Sequence, residues 1–209
     1  MGNLNLILCI SIIAPLAMML FVYKGRSRVS LLFLLIGVLV CLFCGELDGI
    51  IVRKVSCSQL WFKCNVTPLV EEIFKALPIF VYAFLFRPKK QTLLESSIAV
   101  GVGFAVLENA FILASSVGAV SIPLALIRGF GAGMMHGIST LAVGYGMTFI
   151  HSRRKLFYTG TTALLAVAVV YHSIYNTLVQ SDLQWIGFIL PIMTFVPLIV
   201  VLRKKKVLQ

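Results

Sequence analysis

Acidic residues are scarce in this chain: Asp and Glu together number 7 among 209 residues, against 18 Lys and Arg and only 3 His. Charged residues of both signs make up 12%, while 60% of positions are hydrophobic and mean hydropathy is +1.02. That balance excludes an ordinary soluble domain, whose single core has no use for so much apolar surface. The whole of 1–209 therefore reads as one integral membrane domain. Nucleic-acid binding, which a net charge of +11 would otherwise suggest, is excluded by where the basic residues fall, since no extended basic face or base-stacking aromatic stripe accompanies them. There is no H-E-x-x-H motif and no inverted repeat between halves. Nor does a basic segment precede the first apolar run, so Met1 to Tyr23 reads as a permanent span rather than a cleavable signal.

What is present is a series of long apolar runs. Hydropathy predicts an all-α polytopic transmembrane helical bundle of about seven spans, at 4–23, 29–52, 67–86, 92–116, 121–150, 156–179 and 184–202. The segments 24–28, 87–91, 151–155 and 203–206 hold 13 of the 18 basic residues, whereas the opposite-side segments hold only Arg53, Lys54 and Lys63. By the positive-inside rule the N-terminus is expected outside and the C-terminus in the cytoplasm of a multi-pass cell-membrane protein. The longest connection expected is 53–66, where Cys57 and Cys64 are compatible either with a disulfide or with two free thiols. Cys41 and Cys44 lie within an apolar run and read as small buried hydrophobes. Glu46 and Asp48 end the second span and read first as a solvated helix end, second as support for the site.

Against this background, P-L-V-E-E-I-F-K-A-L-P at 68–78 places Glu71, Glu72 and Lys75 inside a span. Each charge placed centrally costs roughly 2.5–3.5 kcal/mol, so these residues are expected to face a protein interior or a wet cavity. Lys75 can reach either carboxylate on a helix, being four and three residues further on. The fourth span carries F-A-V-L-E-N, with Glu108 on the face of Phe104, and Gly101 and Gly103 permitting close helix approach. The fifth carries R-G-F-G-A-G-M-M-H, whose glycines leave one side bare, and Arg128 is expected to snorkel to the outer interface. The sixth carries H-S-I-Y-N, with His172 and Asn176 on one face. Counting helix rise puts His136, His172 and Glu108 about 12 Å deep, and Glu71 and Glu72 shallower, at 5–6 Å past Pro68. His151 begins a basic loop and reads as solvated.

Carboxylates and imidazoles converging in a water-poor interior support two routes to amide hydrolysis. In one, Glu and His hold Zn²⁺, which acidifies a water, and a second Glu acts as base. In the other, Glu and His activate the water without metal, and a His with an Asn amide stabilises the oxyanion. Such relays also mark proton pathways, so an ion-coupled transporter is the reading from a different class. A catalytically silent scaffold that keeps the fold is a third.

E-E-x-x-K at Glu71–Lys75, F-x-x-x-E at Phe104–Glu108, His136, and H-x-x-x-N at His172–Asn176, in four successive spans, resemble the four motifs of the PrsW-type intramembrane proteases. That family is related to the type II CAAX prenyl endopeptidases and the bacteriocin-immunity-type membrane proteins. The resemblance covers 67–179 and implies a four-helix catalytic core there. A prenyl endopeptidase would carry E-E-x-x-x-R and F-x-x-x-H; here Lys75 comes one position earlier and Glu108 replaces the His, which sets a CAAX-type prenyl protease aside as the alternative. The resemblance implies that Glu71 and Glu72 supply the water-activating carboxylate, with Lys75 tuning them. It further implies that Glu108 is an acid/base or ligand, His136 a base or ligand, and His172 with Asn176 a ligand or oxyanion stabiliser. If zinc is bound, Glu108, His136 and His172 are the expected ligands. The implied activity is cleavage of a single-pass membrane protein, such as an anti-sigma factor, near its extracytoplasmic face. The remaining partner is membrane lipid.

Overall fold

The structure, a computed structural model, describes residues 24–115, 125 and 127–204, and among them no residue is in a strand. The elements are α1 (Gly25–Val52), α2 (Gln59–Phe86), α3 (Lys90–Ser115), a π-helical turn (Ile127–Ala132) leading into α4 (Gly133–Met147), α5 (Arg154–Val179) and α6 (Gln184–Lys204). The first expected span, 4–23, lies outside the described residues, as does the start of the fifth. Three helices, α1, α3 and α5, are long and apolar enough by themselves to cross a membrane, and α6 has a shorter apolar stretch, Gln184–Leu198. A count of seven spans is thus not established. α2 has the length to cross but carries three charges within its apolar run, at Glu71, Glu72 and Lys75.

The distribution of residues around α2 explains how those charges are tolerated. Its buried positions include Cys64, Pro68, Glu71, Glu72, Lys75, Ile79 and Ala83, a stripe at helical spacing, while Leu69, Ile73, Leu77, Phe80 and Phe84 are exposed. The polar stripe faces inward and the apolar one outward, the reverse of a soluble amphipathic helix and the arrangement that hydrocarbon requires. α5 repeats the pattern, burying Ala168, His172 and Tyr175 and exposing Val167, Val170 and Ile174.

α2 begins earlier than the sequence suggested. Ser58 caps it, its hydroxyl accepting from the Trp61 amide at 3.2 Å, so the helix runs through Pro68 and the connection shrinks from 53–66 to 53–58. Cys57 and Cys64 are separate thiols, because the helix turns Cys64 inward, where Gln180 Nε2 donates to its sulfur at 3.4 Å. Asp48 is not a solvated end residue: Thr67 Oγ1 donates to its carboxylate at 2.6 Å and ties α1 to α2. Cys44 is buried among the core residues, as expected.

Glycine sets the helix spacing. A Cβ on Gly103 would run into the Leu34 carbonyl, one on Gly37 into the Val100 carbonyl, and one on Gly101 into the His136 carbonyl. α1 crosses α3 at backbone contact and α3 meets α4 in the same way, the close approach expected of Gly101 and Gly103. At one end of the bundle, Arg26 pairs with Glu95 at 3.8 Å, Lys90 Nζ sits 4.6 Å from the Tyr145 ring, and the Ala83 carbonyl accepts from His151 Nε2 at 3.1 Å. His151 is exposed but fastened to α2 rather than free. This basic end is opposite the one that holds Arg53, Lys63 and Gln180. Gly103→Leu is expected to force α1 from α3 and destabilise the bundle by at least about 1–3 kcal/mol, whereas Gly129→Ala, with nothing described within 4 Å, is expected to be near neutral. Thermal unfolding of the two variants in detergent checks the difference.

Candidate active site

Four helices deliver ionisable side chains to one buried point. α2 supplies Glu72 and Lys75, three residues apart, and Lys75 Nζ donates to Glu72 Oε1 at 2.6 Å with both side chains wholly buried. α5 supplies His172, whose Nδ1 lies 2.9 Å from the same Glu72 oxygen. α4 supplies His136, whose Nδ1 lies 2.8 Å from Lys75 Nζ and whose Nε2 lies 3.1 Å from Glu108 Oε2 on α3. The two imidazoles meet edge to face, 4.8 Å between centroids. Phe104, one turn before Glu108, places its ring 4.9 Å from Lys75 Nζ and 5.0 Å from His136.

These contacts fix proton positions. The Lys75 ammonium can only donate, so His136 Nδ1 accepts and His136 Nε2 carries the hydrogen that is given to Glu108. Glu72 Oε1 accepts, so His172 Nδ1 carries the hydrogen and His172 Nε2 is left with a lone pair. That nitrogen is buried without a hydrogen-bond partner, as are Glu71 Oε2 and Glu72 Oε2. Glu71 Oε2 lies 3.7 Å from His172 Nε2, beyond hydrogen-bond reach.

The depths expected from the sequence need one correction. Glu72 and His172 touch, so the α2 carboxylates are level with the histidines rather than shallower. Pro68 is inside the helix and not at its start, so a rise counted from it understates how far along α2 the carboxylates lie. His172 is seven residues from the end of α5 at Val179, about 10 Å, and 18 residues from its start at Arg154, about 27 Å, so the cluster lies well towards the end opposite the basic loops.

Three further placements differ from expectation. Glu108 is not in the set of possible metal donors, which is Glu71, His136 and His172, with one ligand atom from each all within 4.8 Å of one another. Its Oε2 is instead occupied, by His136 and by Arg128 Nη2 at 3.5 Å. Arg128 does not snorkel: Arg128 Nε donates to Asn109 Oδ1 at 3.1 Å, and Asn109 Nδ2 donates back to the Arg128 carbonyl at 2.9 Å. Asn176 Nδ2 donates to the Lys63 carbonyl at 3.0 Å and so joins α5 to the first turns of α2 rather than meeting the cluster. The bond from Lys75 to His136 was not foreseen, because nothing in the sequence fixes the rotation of one helix against another.

The donor set fits a metal in its chemistry. Two of its atoms, Glu71 Oε2 and His172 Nε2, are buried and unpartnered, and the Nδ1–H of His172 is held by a carboxylate, the outer support that ligating histidines commonly have. His136 differs, having both nitrogens engaged.

No curated protein and no solved structure matches the chain at a significant level. The sequence model of one family, described as PrsW family intramembrane metalloprotease, matches residues 14–202. With that match over most of its length, and the four polar motifs gathered at one buried point, the chain belongs to the PrsW family of intramembrane metalloproteases.

Proposed function

We propose that the cluster hydrolyses a peptide bond of a membrane-tethered protein close to the extracytoplasmic face. The substrate class is a single-pass membrane protein such as an anti-sigma factor, whose first cut releases a stress response. The observation that carries this reading is the convergence of three buried, unpartnered atoms, Glu71 Oε2, Glu72 Oε2 and His172 Nε2, in a bundle with a hydrocarbon-facing exterior. Such atoms are costly to bury without a partner unless the site exists to engage one. The side of the cut follows from the cluster's distance from the basic end, which the positive-inside rule assigns to the cytoplasm.

Glu71, His136 and His172 would hold zinc, which when bound supplies a Lewis acid that makes a water acidic at neutral pH. The chain's own groups do the remaining work. Glu72 Oε1 holds His172 in the tautomer that presents Nε2, and Glu72 Oε2 takes the proton of the attacking water and returns it to the leaving amine. Lys75 balances the charge of Glu72 and fixes its rotamer. Glu108, itself anchored by Arg128, orients His136.

Reconstitution with single-pass substrates, followed by mapping of the new termini, tests the activity. Glu72→Gln is expected to lower cleavage at least about 10²-fold while leaving the helical content intact, and His136→Ala likewise. His151→Ala, at the opposite end, should cleave near the wild-type rate. Proton-coupled solute flux with no proteolysis would replace this reading with a transporter. Zinc is tested separately by elemental analysis of purified protein, with activity measured after chelation and after zinc is restored. Full activity in metal-free protein would assign water activation to the glutamates alone. Orientation is checked with single cysteines at Val55 and Ser152: an impermeant maleimide should label the first from outside intact cells and the second only after permeabilisation.

A further inference from the structure

Past the point where Gly37 and Gly103 bring α1 and α3 to backbone contact, the two helices separate and enclose a cavity of about 390 Å³. Its inner end is formed by Glu71 and Glu108, and its walls include Leu42, Phe104, Leu107 and Phe111. The volume is within the range of about 300–1,000 Å³ in which proteins bind small ligands.

Two observations distinguish this cavity from a packing defect. Gly45 and Gly49, four residues apart on α1, both line it, and a Cβ at Gly45 would meet nothing within 4 Å, whereas one at Gly37, two turns earlier, would strike the Val100 carbonyl. The later glycines on α1 keep space open where the earlier one closes it. Independently, Glu71 is only 6% exposed, lines the cavity, and has an oxygen without a hydrogen-bond partner. The cavity therefore borders the cluster at Glu71 and Glu108.

We propose that it is a specificity subsite for the substrate residue next to the scissile bond, taking a large apolar side chain such as Leu or Phe from a segment unwound out of its helix. This rests on the hydrolase reading above. Most of the lining residues are uncharged and Leu42, Phe104, Leu107 and Phe111 give it an apolar wall, while the carboxylates of Glu46, Glu71 and Glu108, with Arg53 beside them, disfavour an acidic side chain. The Gly45 and Gly49 pair sets how large a side chain is admitted.

The test uses full-length protein in liposomes with a single-pass substrate whose residue beside the mapped cut is Leu, Phe, Ala or Gly. Wild type should favour Leu and Phe over Ala by about 10-fold or more, as expected when an apolar pocket loses a side chain. Gly45→Leu should abolish that preference, cleaving the Ala and Gly substrates within about twofold of wild type, so that folding and chemistry are shown to be intact. Equal loss on all four substrates, or unchanged preference, overturns the subsite. A second measurement requires only binding. With the other cysteines replaced by serine and molecular oxygen with a copper–phenanthroline catalyst added as the oxidant, the native Cys41 thiol, which also lines the cavity, should form a disulfide with a cysteine scanned along the outer third of the substrate's membrane segment, and at one position predominantly. No cross-link anywhere in the scan overturns the proposal. A positional cross-link without any cleavage retains the subsite and removes the hydrolase reading instead.

Discussion

A carboxylate and an ammonium 2.6 Å apart, both fully withdrawn from solvent within a bundle whose exterior is apolar, set the terms for the rest of this structure. Neither charge is stable there alone, and removing one partner of such a pair commonly costs about 3–5 kcal/mol because the other is left uncompensated. The pair also does not saturate its own hydrogen-bonding capacity. Glu72 accepts from His172 as well, and Lys75 reaches His136, so satisfying the ion pair obliges α4 and α5 to bring their imidazoles to the same level of α2. The glycine contacts that fix α3 against α1 and α4 then supply Glu108 at the only remaining side of His136. Chemistry and architecture are in this sense one constraint, because the groups that would react are those that hold the four helices in register.

Much of this was legible in the sequence, for reasons that are physical. Charges inside apolar runs are so expensive that their mere presence at Glu71, Glu72, Lys75 and Glu108 indicated an interior, and the helical period indicated which of them share a face. The close approach of α3 was readable from Gly101 and Gly103, since a residue without a side chain within a membrane helix is informative. What could not be read is the rotation of each helix about its axis. The exchange of Glu71 for Glu108 in the donor set depends on tens of degrees of rotation of α2 and α3, which no spacing encodes. Asn176 shows the same limit: it shares a face with His172, yet one turn further along α5 it is opposite the Lys63 carbonyl, so proximity along a helix did not become proximity to the site. The α2 boundary failed for a different reason, because a proline in a membrane helix was taken as a start when the Ser58 hydroxyl was the stronger signal.

The spacing of E-E-x-x-K has a structural meaning in this chain. With the cation three residues after Glu72, its ammonium is on the same inward stripe as both carboxylates and directly below Phe104, between Glu72 and His136. A compact ammonium with three donors can address an oxygen and a ring nitrogen in different directions, whereas the planar fork of an arginine one position later would favour a bidentate carboxylate and leave His136 Nδ1 unaddressed.

That orientation divides the two histidines, which sequence alone treats as equivalent. His172 receives its support from a carboxylate, so its free nitrogen is a lone pair already aimed near Glu71 and available to a ligand. His136 is supported by a cation, so its outward nitrogen is protonated and committed to Glu108. A ligand taken up by Glu71 and His172 can therefore recruit His136 only through the Nδ1 lone pair, which means displacing the Lys75 bond while Nε2–H stays with Glu108. The pair formed by Glu108 and Arg128 thus serves as a fixed support: Arg128 balances the carboxylate, and the carboxylate holds the imidazole through its Nε2–H whether or not Nδ1 takes a ligand.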